Sequence, residues 1–182
     1  HASLGSAPAG PLYYPLGYPA LAAFFMRVLG PAPLAAQIAS LLAGSAVAPL
    51  AYLITKEIAS RSLRTMEHAR SLGAAAALIV AFSGQLLQSS ISVMSDAPAA
   101  FWATLSAYCL LRYDRHDRPV WLPLASAALA LAIVTRWIYT GLLLPFAVHA
   151  ILAVRFRGLR RSAVSAHAAL LIGIVIVAPQ VR

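Results

Sequence analysis

Two isolated charges, Asp96 and Arg136, are the residues of this 182-residue chain best placed to do chemistry. Nearly every other charge falls in three arginine-rich clusters set between long apolar runs, and these two stand at the opposite ends of those runs. A carboxylate in such a place can cap a helix, take a divalent cation or orient an acceptor group. A guanidinium there can grip a phosphate with two parallel hydrogen bonds. It can also snorkel to lipid headgroups, with Trp137 and Tyr139 as interface anchors. Ionisable groups at a membrane boundary, away from the positively charged loops, are functional-site candidates by default.

Uncharged polar residues gather near both. The stretch Pro11-Leu12-Tyr13-Tyr14-Pro15-Leu16-Gly17-Tyr18-Pro19 carries prolines that forbid a regular helix and three tyrosines that offer rings and hydroxyls. Tyr13, Tyr14 and Tyr18 read either as an aromatic belt or as a substrate-binding loop. Gln85, Gln88, Ser89, Ser90 and Ser92 crowd the end of an apolar run; Gln85 and Ser89 lie on one helical face, as do Gln88 and Ser92. Such density means interhelical hydrogen bonding or a wet cavity, and Gln88 is the candidate substrate contact. His149 and His167 sit within apolar runs with no second ligand at helical spacing, so neither reads as a metal ligand.

The elements that hold these residues follow from composition. The chain is 61% hydrophobic and 10% charged, with mean hydropathy +0.79, outside the range of an ordinary soluble domain. A net charge of +9 suits nucleic acid only if the basic residues share one surface. Here they alternate with apolar spans, so membrane topology explains them and a nucleic-acid partner is excluded. The single cysteine, Cys109, rules out an internal disulfide framework and reads as a small buried hydrophobe.

A bilayer core takes roughly 20 apolar residues as helix. Pro33 to Thr55, Ser71 to Val93 and Ser162 to Val181 are the clearest; Ala97 to Leu111, Pro119 to Thr135 and Trp137 to Val154 are shorter but nearly free of charge inside. Tyr18 to Leu29 is apolar but short and reads as an interfacial helix. The expected fold is therefore all-α, a polytopic transmembrane bundle of about six spans plus that short helix. Residues 1–32 form an outer loop and interfacial helix, and 33–182 the spans, in a single domain. Lys56, Arg61, Arg64 and Arg70 mark one junction, Arg112, Arg115 and Arg118 the next, and Arg155, Arg157, Arg160 and Arg161 the third. The positive-inside rule puts these loops in the cytoplasm. The Ser95-Asp96 and Arg136 turns then lie on the outer face.

At these residues the chain resembles the GT-C glycosyltransferases, a family that includes relatives of protein O-mannosyltransferases and of the aminoarabinose transferase acting on lipid A. Their Y-P-P-G-Y-P stretch is matched by Tyr14-Pro15-Leu16-Gly17-Tyr18-Pro19, with Leu16 in place of a proline. Their M-S-D-x-P turn is matched by Met94-Ser95-Asp96-Ala97-Pro98, and a span end G-x-A-x-L-T-R by Leu131-Ala132-Ile133-Val134-Thr135-Arg136. Order and spacing agree from Tyr13 to about Arg157.

The resemblance implies an inverting hexosyl or pentosyl transferase that moves a sugar from a polyprenyl-phosphate donor to a protein, lipid or glycan acceptor. It implies a multi-pass protein of the bacterial inner membrane with a periplasmic active face. Arg136 matches the donor-phosphate ligand, and Asp96 a secondary carboxylate that contacts acceptor or a divalent cation. The family's primary base is a carboxylate in the first outer loop, and no Asp or Glu precedes Glu57 here. On that reading the chain is an inactive piece of a larger GT-C-like domain, lacking the first span and the C-terminal part. A transporter or flippase fragment and a non-catalytic scaffold are the rival readings. Transporters, however, place charge nearer the bilayer midplane, within broken helices.

Overall fold

Lipid offers backbone N–H and C=O groups no partner, so an apolar chain that spans it must satisfy them internally, as helix. The runs rich in Ala, Leu and Ile do so. The structure, a computed structural model, describes residues 15–62, 65–116, 118 and 120–149, and every element among them is helical. In order these are α1 (Gly17–Leu29), α2 (Pro33–Ser62), α3 (Met66–Ala81), α4 (Gly84–Ile91), α5 (Asp96–His116), α6 (Trp121–Thr135) and α7 (Trp137–His149). The last opens as a 3-10 turn over Trp137–Leu142.

The central helix is α2, which touches α1, α3, α4 and α5. Its 30 residues run unbroken through Pro49 and reach about 45 Å at 1.5 Å per residue, more than a hydrocarbon core needs. A stripe of small residues (Ala35, Ala36, Ala39, Ser40 and Gly44) is buried along it. Gly44 lies so close to Ser90 of α4 that a Cβ there would overlap the serine side chain. At Gly73 of α3 a Cβ would stand 2.9 Å from the Tyr52 carbonyl oxygen. Small residues let backbones approach where no hydrophobic effect between helices drives association. The same logic buries Ala125, Ala128, Ala130 and Ala132 on α6, which packs along α5.

Large apolar side chains face outward instead. Phe82 is 78% exposed, Ile138 76% and Ile79 74%, a pattern that a water-facing surface does not sustain over so many positions. The expected count of six spans is not confirmed among the described residues. Among the described residues α2 alone is a single helix long and apolar enough to cross a membrane, and α3 with α4 makes a second if that bent pair is one span. The run from Ser71 is not one straight helix: the chain bends by 57° between α3 and α4. Phe82 ends the first at φ −91°, ψ 7°. Ser83 is extended at ψ 112° before Gly84 restarts the ladder.

Two other expectations are corrected. The prolines of the tyrosine loop do not keep all of it from helix, because α1 begins at Gly17 and takes in Tyr18 and Pro19. First-turn N–H groups have no intrahelical acceptor, so Pro19 costs nothing there. Nor does Asp96 stand outside the helix it precedes: it is the first residue of α5. The run Ser162 to Val181, the arginines from Arg155 onward and His167 lie outside the described residues.

Candidate functional site

Side chains of α2 organise the end of the bundle that holds Asp96 and Arg136. The Tyr18 hydroxyl lies 3.0 Å from the Ser40 hydroxyl and donates to the Ala36 carbonyl at 3.4 Å. Ser40, fully buried, also donates to the Met94 carbonyl at 3.2 Å. Gln37 Nε2 donates to the Ile91 carbonyl at 2.6 Å. One turn and a half of α2 thus ties down both α1 and the link between α4 and α5, and so fixes where α5 starts. Asp96 then sits in the first turn of α5, where the helix dipole favours a carboxylate. Pro98 beside it needs no N–H acceptor.

Arg136 arrives from the other side. Thr135 closes α6 with its hydroxyl on the Leu131 carbonyl at 2.6 Å. Arg136 itself is extended, at φ −156° and ψ 118°, so the chain turns out of α6 before the 3-10 turn begins. Gly17 packs against this corner; a Cβ there would stand 2.6 Å from the Val134 carbonyl oxygen. The result is an ion pair between Arg136 Nη1 and Asp96 Oδ1, with side chains 47% and 35% exposed.

The pair borders a pocket of about 420 Å³. It is lined by Ser83, by Gln85, Leu86 and Ser89 of α4, by Asp96 and Ala100 of α5, and by Arg136, Ile138 and Tyr139. Of the residues expected at the site, Asp96 and Arg136 are brought together. Tyr18 is close in the fold but is committed to α2, and Gln88 is exposed on α4 outside the pocket lining. Tyr13 and Tyr14 lie outside the described residues. Sequence reasoning missed Ser83, Gln85, Ser89 and Tyr139 as pocket residues. The i,i+4 pairing of Gln85 with Ser89 was a visible signal, but the pairing of Gln88 with Ser92 was an equal one, and only the tertiary structure shows that Gln85 lines the pocket.

A divalent cation finds little here. No group of three or more His, Cys, Asp or Glu side chains lies together among the described residues. Asp96 is a lone carboxylate with a guanidinium against it, which repels a cation. Among the described residues, this lone carboxylate paired with a guanidinium does not make a metal site.

The opposite end holds a second carboxylate–guanidinium cluster of different character. Glu57 is buried, 4% exposed. Its Oε1 accepts from Arg115 Nη1 at 2.8 Å, and Arg112 stands 4.0 Å away. Arg112 also stacks near the rings of Tyr108 and Trp121, at 6.0 and 5.3 Å. Arg61 donates to the Leu111 carbonyl at 3.3 Å, joining the ends of α2 and α5. His149 is paired with Asp114 at 3.2 Å. The arginine clusters that are described therefore share one end of the bundle, and the Asp96–Arg136 pair occupies the other.

A helical bundle that turns large apolar side chains outward and gathers charge at its two ends has the build of a membrane protein. Residues 32–181 match the model of the dolichyl-phosphate-mannose-protein mannosyltransferase family, and the chain belongs to that family. No curated relative and no solved structure matches it. The chain is thus of the membrane glycosyltransferase class that draws on polyprenyl-phosphate sugars.

Proposed function

We propose that the Asp96–Arg136 end of the bundle is the transfer site, acting on the outer face of a bacterial inner membrane. There it moves a sugar, with inversion, from a polyprenyl-phosphate donor to an acceptor hydroxyl. One observation carries this reading: an Arg–Asp pair, half open to solvent, lines a pocket at the bundle end away from the described arginine clusters.

The chemistry fits the two groups. The acceptor oxygen attacks the anomeric carbon, the bond from that carbon to the phosphate oxygen breaks, and the phosphate leaves with the electron pair. Charge builds on the phosphate as it departs, and a guanidinium held in place by its backbone stabilises that charge. Asp96 neutralises Arg136 in the pair; the donor's monoanionic phosphodiester competes for the same guanidinium donors, and the charge it gains as it leaves strengthens that hold over the carboxylate's. Asp96 is then free to accept a hydrogen bond from the acceptor hydroxyl and orient it. The hydroxyl proton passes to a carboxylate base, which the family resemblance assigns to an outer loop rather than to Asp96. The acceptor is a protein hydroxyl, in keeping with the family's description.

Transfer of labelled mannose from polyprenyl-phosphate mannose to a serine- or threonine-bearing peptide, in membranes holding the full-length protein, tests the reading. Arg136→Ala should lower kcat/KM on the order of 10² to 10³-fold, the loss seen when one preorganised charge-stabilising donor is removed. Abundance should hardly change, because the side chain is half exposed. An unchanged transfer rate would remove the phosphate clamp.

A further inference from the structure

We propose that Gln85 reads the sugar of the donor, an assignment that rests on the Arg136 phosphate reading. The phosphate and the anomeric carbon share one oxygen atom. A phosphate on Arg136 therefore carries its sugar ring directly against the pocket beside that guanidinium. Leu86, Ala100 and Ile138 line this pocket with apolar surface, so hydroxyl recognition falls to the few polar side chains present.

Those side chains are not equally available. Ser89 is 6% exposed, and its hydroxyl donates to the Leu86 carbonyl at 3.1 Å. Ser83 precedes α4 and makes no side-chain cap bond, and Tyr139 also lines the pocket, but each carries a single hydroxyl. Gln85 is exposed, lines the pocket and has no side-chain hydrogen bond to another described residue. Its carboxamide has two N–H donors and a carbonyl with two lone pairs, so it can meet two adjacent sugar hydroxyls, donating to one and accepting from the other. Being neutral, it does not compete with the phosphate for Arg136 as a carboxylate would.

The chain bends by 57° between α3 and α4. After the bend Ser83, Gln85, Leu86 and Ser89 line the pocket and Gln88 does not.

The test compares mannosyl and glucosyl polyprenyl phosphate, epimeric donors on one carrier, and also measures binding of sugar-free polyprenyl phosphate. With Gln85→Ala in the full-length protein, kcat/KM for the mannosyl donor should fall about tenfold, the scale of one net hydrogen bond to two. The preference between the two epimers should narrow, while affinity for the sugar-free lipid stays unchanged. Alanine suits an exposed helical position, so folding is not at risk. Gln85→Asn, which keeps the carboxamide one methylene shorter, should fall between the two. An unaltered kcat/KM, or equal losses on both donors with the preference intact, would overturn the proposal. So would a weakened grip on the sugar-free lipid, which would make Gln85 part of the phosphate subsite. Arg136→Ala separates the two readings: it should weaken the sugar-free lipid. If it does not, the phosphate clamp fails whatever Gln85 does to sugar preference.

Discussion

The two ends of this bundle are built from the same pair of functional groups and use them differently. At one end Glu57 is buried under Arg112 and Arg115, and aromatic rings hold Arg112 in place. At the other, Asp96 and Arg136 pair at the rim of a pocket with both side chains more than a third exposed. Burial is the difference that matters. A carboxylate removed from water needs its guanidinium permanently, since an unpaired buried charge is costly. A half-solvated pair is worth little in stability and can be exchanged for a ligand. The first arrangement fastens α2 to α5; the second is free to open.

That contrast is sharpest between Arg136 and Glu57. Arg136→Ala should cost transfer its 10² to 10³-fold and stability almost nothing. Glu57→Ala should do the reverse, lowering stability by about 2 kcal/mol with transfer per folded molecule intact. The figure is less than a fully buried pair would lose because Arg112 and Arg115 are 31% and 42% exposed and can re-solvate. Thermal unfolding in detergent alongside the mannose-transfer assay reads both. A Glu57 variant that is stable but inactive would break the comparison.

Asp96→Asn refines it. Asparagine serves a helix start about as well as aspartate, so stability should move by less than about 0.5 kcal/mol. Removing the competing negative charge should tighten binding of sugar-free polyprenyl phosphate while transfer falls. Weaker lipid binding would mean that Asp96 positions Arg136 rather than competing for it. The smallest effect belongs to Tyr18→Phe. It removes the hydroxyl shared with Ser40 and should cost about 1 kcal/mol in unfolding. A loss of transfer much beyond that would show Tyr18 touching substrate.

How much of this was legible beforehand differs from residue to residue. Asp96 and Arg136 stood out because a charge in an apolar setting is conspicuous without any knowledge of contacts. Helix positions were equally plain: α1, α2, α5 and α6 lie within a few residues of their apolar runs, apart from α2's last turns. There the helix continues past Thr55 through Lys56 and Glu57, because Glu57 finds Arg115 on a neighbouring helix. Glu57 itself, one acid in a basic stretch, gave no sign of being buried. Gln85 and Gln88 were indistinguishable by spacing.

The sequence by itself determined that this chain is helical, that it belongs in a membrane, which runs form helices and which two charges stand apart. These are consequences of local chemistry: apolar composition, backbone satisfaction and the segregation of arginine. Tertiary structure alone decided that Asp96 and Arg136, 40 positions apart by their numbering, meet at one pocket. It also decided that Gln85 rather than Gln88 faces them, and that Glu57 is a buried tie. Each of those depends on how helices rotate and bend against one another, and that is set by contacts between residues far apart in the chain, such as Gly44 on Ser90 and Gly17 on Val134.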